Sequence, residues 1–168
     1  MSLVGCGFEP LYGPPSSKSL QDTSAQGMLS RVKVNLIADR RGQLLRNHLI
    51  SLLTPLGQPK KPLYLLDVTL TETSQALGIL KDATFSKSQM TYVAEFTLKD
   101  AADHKVLLKN SSSVVADYNV ITNSEFATVI SAQSAKDRSM ILLAQQISRE
   151  LGAFFHEAEK DTSENSKS

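Results

Sequence analysis

The chain of 168 residues holds a single cysteine, no tryptophan and only 6% aromatic residues. One cysteine cannot close an internal disulfide, so a fold stapled by sulfur bridges is excluded. Neither sign of charge dominates: 18 basic residues face 17 acidic ones, for a net of +1. A protein that neutralises many duplex phosphates carries a basic surplus, so nucleic acid is not an expected partner. Long apolar runs are also missing. None approaches the ~18–20 residues of a membrane-spanning helix, so any meeting with a bilayer comes through an anchor or a partner. What the chain does have is 41% hydrophobic residues, enough for the core of one domain.

The spacings that hold nucleophiles, metals and phosphates are absent too. There is no GxSxG elbow, no HExxH pair, no phosphate-cradling glycine loop and no CxxC. His48, His104 and His156 fall on a helix, a turn and a helix end, and none has a second ligand at i+4. The chain therefore reads as a non-enzyme with no metal and no cofactor.

The cysteine, Cys6, sits in LVGCGFEPLYG, residues 3–13. It has three possible uses: a small buried hydrophobe, a nucleophile or an attachment point. Two flanking glycines near a terminus, where chains fray, argue against burial. A nucleophile needs a base held beside it, and no histidine stands at a recognisable spacing. Attachment is the better reading, because Leu3-Val4-Gly5-Cys6 resembles a bacterial lipobox. Its secretion signal, with a basic start and an apolar stretch, is expected to have been removed. Met1 to Leu3 are then an added remnant or the last residues of that signal.

Beyond the cysteine, residues 14–30 carry Pro, Ser, Gln and Gly without a sustained apolar period and read as a linker. Residues 1–30 thus form a lipobox remnant and flexible segment, 31–156 a single domain, and 157–168 a disordered polar tail. In RVKVNLI, Val32, Val34 and Leu36 alternate with polar residues and predict a strand. Leu45, Leu49, Leu52 and Leu53 then recur at helical spacing, with Asp39 near the start and Pro55 and Gly57 at the end. Arg40, Arg41 and Arg46 read as a solvated helix face.

Alternation predicts further strands within 63–73, from Met90 to Leu98, and over about Val106–Ala116 after the polar turn KDAADHK. Residues 74–89 form a longer connection that partly extends both neighbouring strands. Thr122 and Glu125 have capping-box spacing ahead of a last helix. Its apolar stripe runs through Met140, Leu143, Ala144, Ile147, Leu151 and Phe154. The order β-α-β-β-β-α gives an α+β two-layer sandwich, a four-stranded, mostly antiparallel sheet covered by two helices.

A binding role is more plausible than catalysis. Thr69, Thr71, Thr91, Thr97, Lys99, Lys105 and Lys109 could line the uncovered sheet face. An ordinary wet face explains them by default, and a surface for an amphiphile or a partner's wall is the sharper alternative. In SQALGILKDATFSKSQM, Leu77, Ile79, Leu80 and Phe85 lie beside Lys81 and Lys87. Oily and basic side chains together suit a phosphorylated glycolipid, although a strand edge also explains them.

CGFEPLYG, residues 6–13, resembles the mature start of the lipopolysaccharide-assembly lipoprotein family LptE in its alphaproteobacterial form. Tyr118-Asn119 and the final helix are looser matches. The resemblance implies an acylated Cys6 held in the outer membrane on its periplasmic side. It also implies a domain that plugs and helps assemble the β-barrel LptD and assists lipopolysaccharide transport to the cell surface. Lys81 and Lys87 are then candidate lipopolysaccharide contacts. Lys87 stands where family members often carry arginine, and it keeps the charge but loses the planar fork. The alternative is a generic periplasmic lipoprotein serving as auxiliary subunit of another lipid transporter.

Overall fold

A computed structural model describes residues 24–76, 85–121 and 124–165. Its order is α1 (Ala25–Leu29), β1 (Val32–Val34), α2 (Asp39–Leu53), β2 (Tyr64–Ala76), β3 (Phe85–Asp100), β4 (Val106–Ile121) and α3 (Glu125–Asn165). The strands make one sheet in the order β1-β2-β3-β4. β1 and β2 are parallel and joined through α2; the other two pairings are antiparallel. The expected α+β sandwich with a mostly antiparallel sheet is therefore the observed one.

Alternation decides which face is covered. Leu66, Val68, Met90, Tyr92, Ala94, Phe96, Leu98 and Val114 point into the core beneath the helices, together with Val32 and Val34. From above, α2 contributes Leu45, Leu49 and Leu53, and α3 contributes Ala135, Met140, Leu143, Ala144, Ile147, Leu151 and Phe155. All of these belong to one continuous cluster, the single core expected of a two-layer domain.

Several sequence expectations shift by one residue, and each shift has a local cause. β1 stops at Val34, leaving Leu36 80% exposed while Ile37 turns inward. The reason sits in the first turn of α2. A Cβ on Gly42 would stand 2.6 Å from Ile37 Cγ2, so only a glycine lets the helix close over that side chain. Gln43 Nε2 also donates to the Ile37 carbonyl at 2.6 Å. Leu52, expected within the α2 stripe, is about half exposed, and on α3 Phe155 rather than Phe154 is fully buried. The Phe155 ring lies 4.9 Å from that of Tyr64 at the start of β2, which packs this turn of α3 against the sheet.

Other findings concern the extent of elements. The stretch read as a linker ends in α1, whose Ser24 Oγ accepts from the Gly27 amide at 3.2 Å. Met28 and Leu29 of α1 pack against the core, and Ala25 N–H donates to Glu159 of α3 at 3.3 Å. α3 continues to Asn165, past the expected domain end at 156. Residues 74–89 extend both neighbouring strands, as expected, since Ser74 pairs with Met90 and Ala76 with Ser88. β4 likewise runs on to Ile121 because Lys87 and Ser86 of β3 supply partners for Asn119 and Val120. Thr122 lies outside the described residues. Ser124 stands ahead of the helix instead, its Oγ accepting from the Ala127 amide at 3.4 Å.

Candidate partner and lipid interface

The uncovered face of the sheet is set by register. Across β2, β3 and β4 the rows are Asp67–Thr97–Lys109, Thr69–Glu95–Ser111, Thr71–Val93–Ser113, Thr73–Thr91–Val115 and Gln75–Gln89–Asp117. Charge is confined mainly to the end near the turn at 101–105, and the middle rows are uncharged and rich in hydroxyls. Short β-branched side chains lose little rotamer freedom when covered, and each hydroxyl can donate or accept. This face is thus chemically suited to meeting another polar wall. Thr69, Thr71, Thr91, Thr97, Lys99 and Lys109 lie on it as expected, whereas Lys105 sits in the turn before β4.

At its charged end the face carries a small network that sequence spacing did not reveal. Asn35 Nδ2 donates to Asp67 Oδ1 at 2.7 Å, and Lys99 Nζ lies 2.8 Å from Asp67 Oδ2. The Asn35 hydrogen bond, and then that from Lys99, hold the Asp67 carboxyl below its ordinary pKa of 3.8. The folded state gives up this proton more readily than the unfolded chain. The network therefore stabilises the fold above about pH 4 and ceases to do so as pH falls further. Asp67→Asn is expected to flatten the acid limb of unfolding free energy against pH. An acid limb identical to that of the parent protein would show that Asp67 adds nothing.

Two further polar clusters tie helices to strands. Arg41, read from sequence as a solvated residue, forms an ion pair with Glu72 on β2. Arg46 Nε, from the other side of the buried stripe of α2, donates to the Asn35 carbonyl at 3.1 Å. Arg41 and Glu72 line a groove of about 450 Å³ with Ala38, Asp39, Arg40 and Leu70. Glu150 of α3 accepts from Asn110 Nδ2 and from Ser112 Oγ, both at 2.6 Å. A hydrophobic period shows which residues face inward but not which polar pairs meet; the packing of α2 and α3 on the sheet brings these partners together.

The turn between β3 and β4 is organised as its aspartates suggest. Asp100 Oδ1 accepts from the Ala102 amide at 2.7 Å, and Asp103 Oδ1 from the Lys105 amide at 2.9 Å. His104 takes a positive φ of 59° there. His156 Nδ1 stands 3.9 Å from Glu159 Oε2. Among the described residues, no three His, Cys, Asp or Glu side chains converge as metal ligands, and no helix is long and apolar enough to cross a membrane. Of the candidate lipid residues, Lys87 is exposed on β3 opposite Asn119. Cys6 and Lys81 lie outside the described residues.

Comparison with known proteins decides the family. The family model for LptE, described as lipopolysaccharide-assembly, matches residues 29–151, well over half of the chain. The chain belongs to the LptE family. The matched region runs from the end of α1 through the buried half of α3, so it takes in every strand of the sheet. Solved structures of similar fold include a candidate lipoprotein from Caulobacter crescentus, at 18% identity and a TM-score of 0.63, covering 78% of this chain and 95% of that one. A minor lipoprotein from Acinetobacter baumannii aligns at 20% identity and a TM-score of 0.57, covering 73% and 91% respectively. The rare lipoprotein B from Shewanella oneidensis aligns at 10% identity and a TM-score of 0.52, covering 82% and 98%. These likenesses show a shared fold. No curated protein matches the chain by sequence.

Proposed function

We propose that this LptE-family protein is an outer-membrane lipoprotein, acylated at Cys6, whose domain sits inside the β-barrel LptD. There it acts as a plug, helps the barrel assemble and assists passage of lipopolysaccharide to the cell surface. The observation that carries this reading is the family match across residues 29–151. The chemistry of the surface agrees with it. The hydroxyl-rich sheet face suits the polar interior of a barrel. A single acyl chain binds a bilayer only marginally, so several chains together with a protein partner make a stable anchorage.

Lys81 and Lys87 are proposed to meet the phosphates of lipopolysaccharide, Lys87 from its exposed place on β3. A lysine near an anionic lipid surface contributes about 1 kcal/mol. Reversing both charges, Lys81→Glu with Lys87→Glu, is therefore expected to weaken lipopolysaccharide binding by at least about tenfold. The urea midpoint of unfolding should stay unchanged, since Lys87 is exposed. Titration of both proteins with purified lipopolysaccharide checks it. Equal affinities would mean that the two lysines are merely solvated.

A further inference from the structure

The turn that follows α2 presents a large apolar side chain to solvent in a way that folding does not require. Thr54 is buried and its Oγ1 donates to the Ile50 carbonyl at 3.1 Å. The Gly57 amide then donates to the Thr54 carbonyl at 2.9 Å, with Gly57 at φ 103°. Thr54-Pro55-Leu56-Gly57 is thus a β-turn with proline in its second place, where the ring fixes φ in advance. Leu56 stands at its tip, fully exposed. Turn tips are usually polar, and a leucine held there by a rigid proline turn has its ordering cost met before it touches anything.

Leu56 does not stand alone. Leu52 on the last turn of α2, Leu63 just before β2 and Val106 at the start of β4 are all exposed large hydrophobics. Leu63 is placed by its carbonyl, which accepts from the Ala101 amide in the turn between β3 and β4. Val106 pairs with Lys99 at the end of β3. α2 joins the parallel strands β1 and β2, so it has to run back to the start of β2. All four therefore belong to the end of the sheet where β2 begins and β3 ends. Lys60 and Lys61 lie exposed between Leu56 and Leu63, and Lys105 is exposed in the neighbouring turn. Single exposed leucines are ordinary, but a group of them interleaved with lysines at one end is not.

The chain also enters the described fold at this end. Ala25, next to the first described residue, is bonded to Glu159 near the far end of α3. Cys6 precedes Ser24 by 18 residues, a span that reaches at most about 60 Å when extended. Lys87 and Asn119 lie at the opposite end, about 50 Å away along strands of this length.

We infer that the end of the domain formed by Leu52, Leu56, Lys60, Lys61, Leu63 and Lys105 rests on the surface of an anionic lipid bilayer. Leucines enter the headgroup boundary, and lysines meet the acidic headgroups as point charges. The occupant is a lipid surface rather than a barrel wall, because exposed leucine with clustered lysine matches an apolar layer beneath negative charge. This surface is separate from the one assigned to the barrel, and neither assignment depends on the other.

The absence of tryptophan from the chain permits a direct test. Leu56→Trp in the full chain places one reporter at the turn tip, where full exposure means the change does not disturb the core. Asn119→Trp places it at the far end. Each protein is mixed with vesicles of phosphatidylethanolamine and phosphatidylglycerol, with and without brominated acyl chains. The expected result is a blue shift and bromine quenching for Leu56→Trp and neither for Asn119→Trp. Adding Lys60→Glu and Lys61→Glu to the Leu56→Trp protein should lower its vesicle affinity at least about tenfold. Its capture of the barrel should be unaffected, which separates this surface from the plug. No shift at the turn tip, equal signals at both positions, or full binding after charge reversal would overturn the inference. So would a blue shift that grows with protein concentration in the absence of vesicles, which would instead mark contact between copies.

Discussion

Phe155→Ala is expected to destabilise the protein by about 3–5 kcal/mol, the usual cost of truncating a buried aromatic side chain. Phe155 is 1% exposed, and its ring is packed between Tyr64 at 4.9 Å and Phe154 at 5.4 Å. Removing it leaves a cavity where α3 meets the start of β2. That junction holds α1 and the sheet end together, and rigid secondary elements around it can collapse only partly. Phe154→Ala is the matched control. Phe154 is only partly buried against the core, so its loss should cost about 1 kcal/mol. Urea unfolding of the two variants side by side, with similar m-values, measures the difference. Equal losses, or a larger loss at Phe154, would mean that the helix is rotated from the register described.

Cys6→Ala in the precursor that carries a secretion signal should abolish acylation altogether. Metabolic labelling with palmitate is expected to mark the parent protein and leave the variant blank. The variant should also move from the membrane pellet towards the soluble fraction, except where the barrel retains it. Each buried methylene of an acyl chain contributes about 0.8 kcal/mol, so losing every chain removes more affinity than any surface substitution could. An unlabelled parent protein, or equal label in both, would remove the anchor from the account.

How far the sequence foretold these features depends on the kind of signal each leaves. Strong two-residue alternation in Met90, Tyr92, Ala94, Phe96 and Leu98 located β3 and its buried face, because a strand with one covered face has no alternative register. The α3 stripe from Met140 to Leu151 was equally legible. Periodicity places Leu36 and Phe154 on the covered face because it cannot see where an element stops or turns away. Gly42 lets α2 close over Ile37, and that contact, not the pattern, ends β1. In the same way, an i+4 step from Leu151 to Phe155 replaces the i+3 step to Phe154 as α3 leaves the sheet.

The outer halves of the long strands were less legible. Ser74, Gln75, Ser88 and Gln89 carry no apolar period, and their strand state comes from an extended ladder in which Ser74 pairs with Met90, Gln75 with Gln89 and Ala76 with Ser88. α1 is five residues long, too short to show a period, and it is held by Ser24 and Glu159 rather than by propensity. The interface was partly visible. Its threonines could be assigned to one face by counting, but Asp67 with Asn35 and Lys99, and Arg41 with Glu72, come from segments far apart in sequence. Leu56 was hidden for another reason. Proline and glycine around it announce a helix end, and nothing in spacing says whether the leucine between them turns in or out.

The central claim is that an LptE-family domain of this shape works within an outer-membrane barrel. The most direct measurement is affinity purification of the acylated protein from detergent-solubilised outer membranes, with the captured partners identified by mass spectrometry. Stoichiometric recovery of one large β-barrel is expected, with loss of that assembled barrel from cells lacking the domain. Recovery of a soluble subunit of an inner-membrane transporter, with no barrel present, would contradict it.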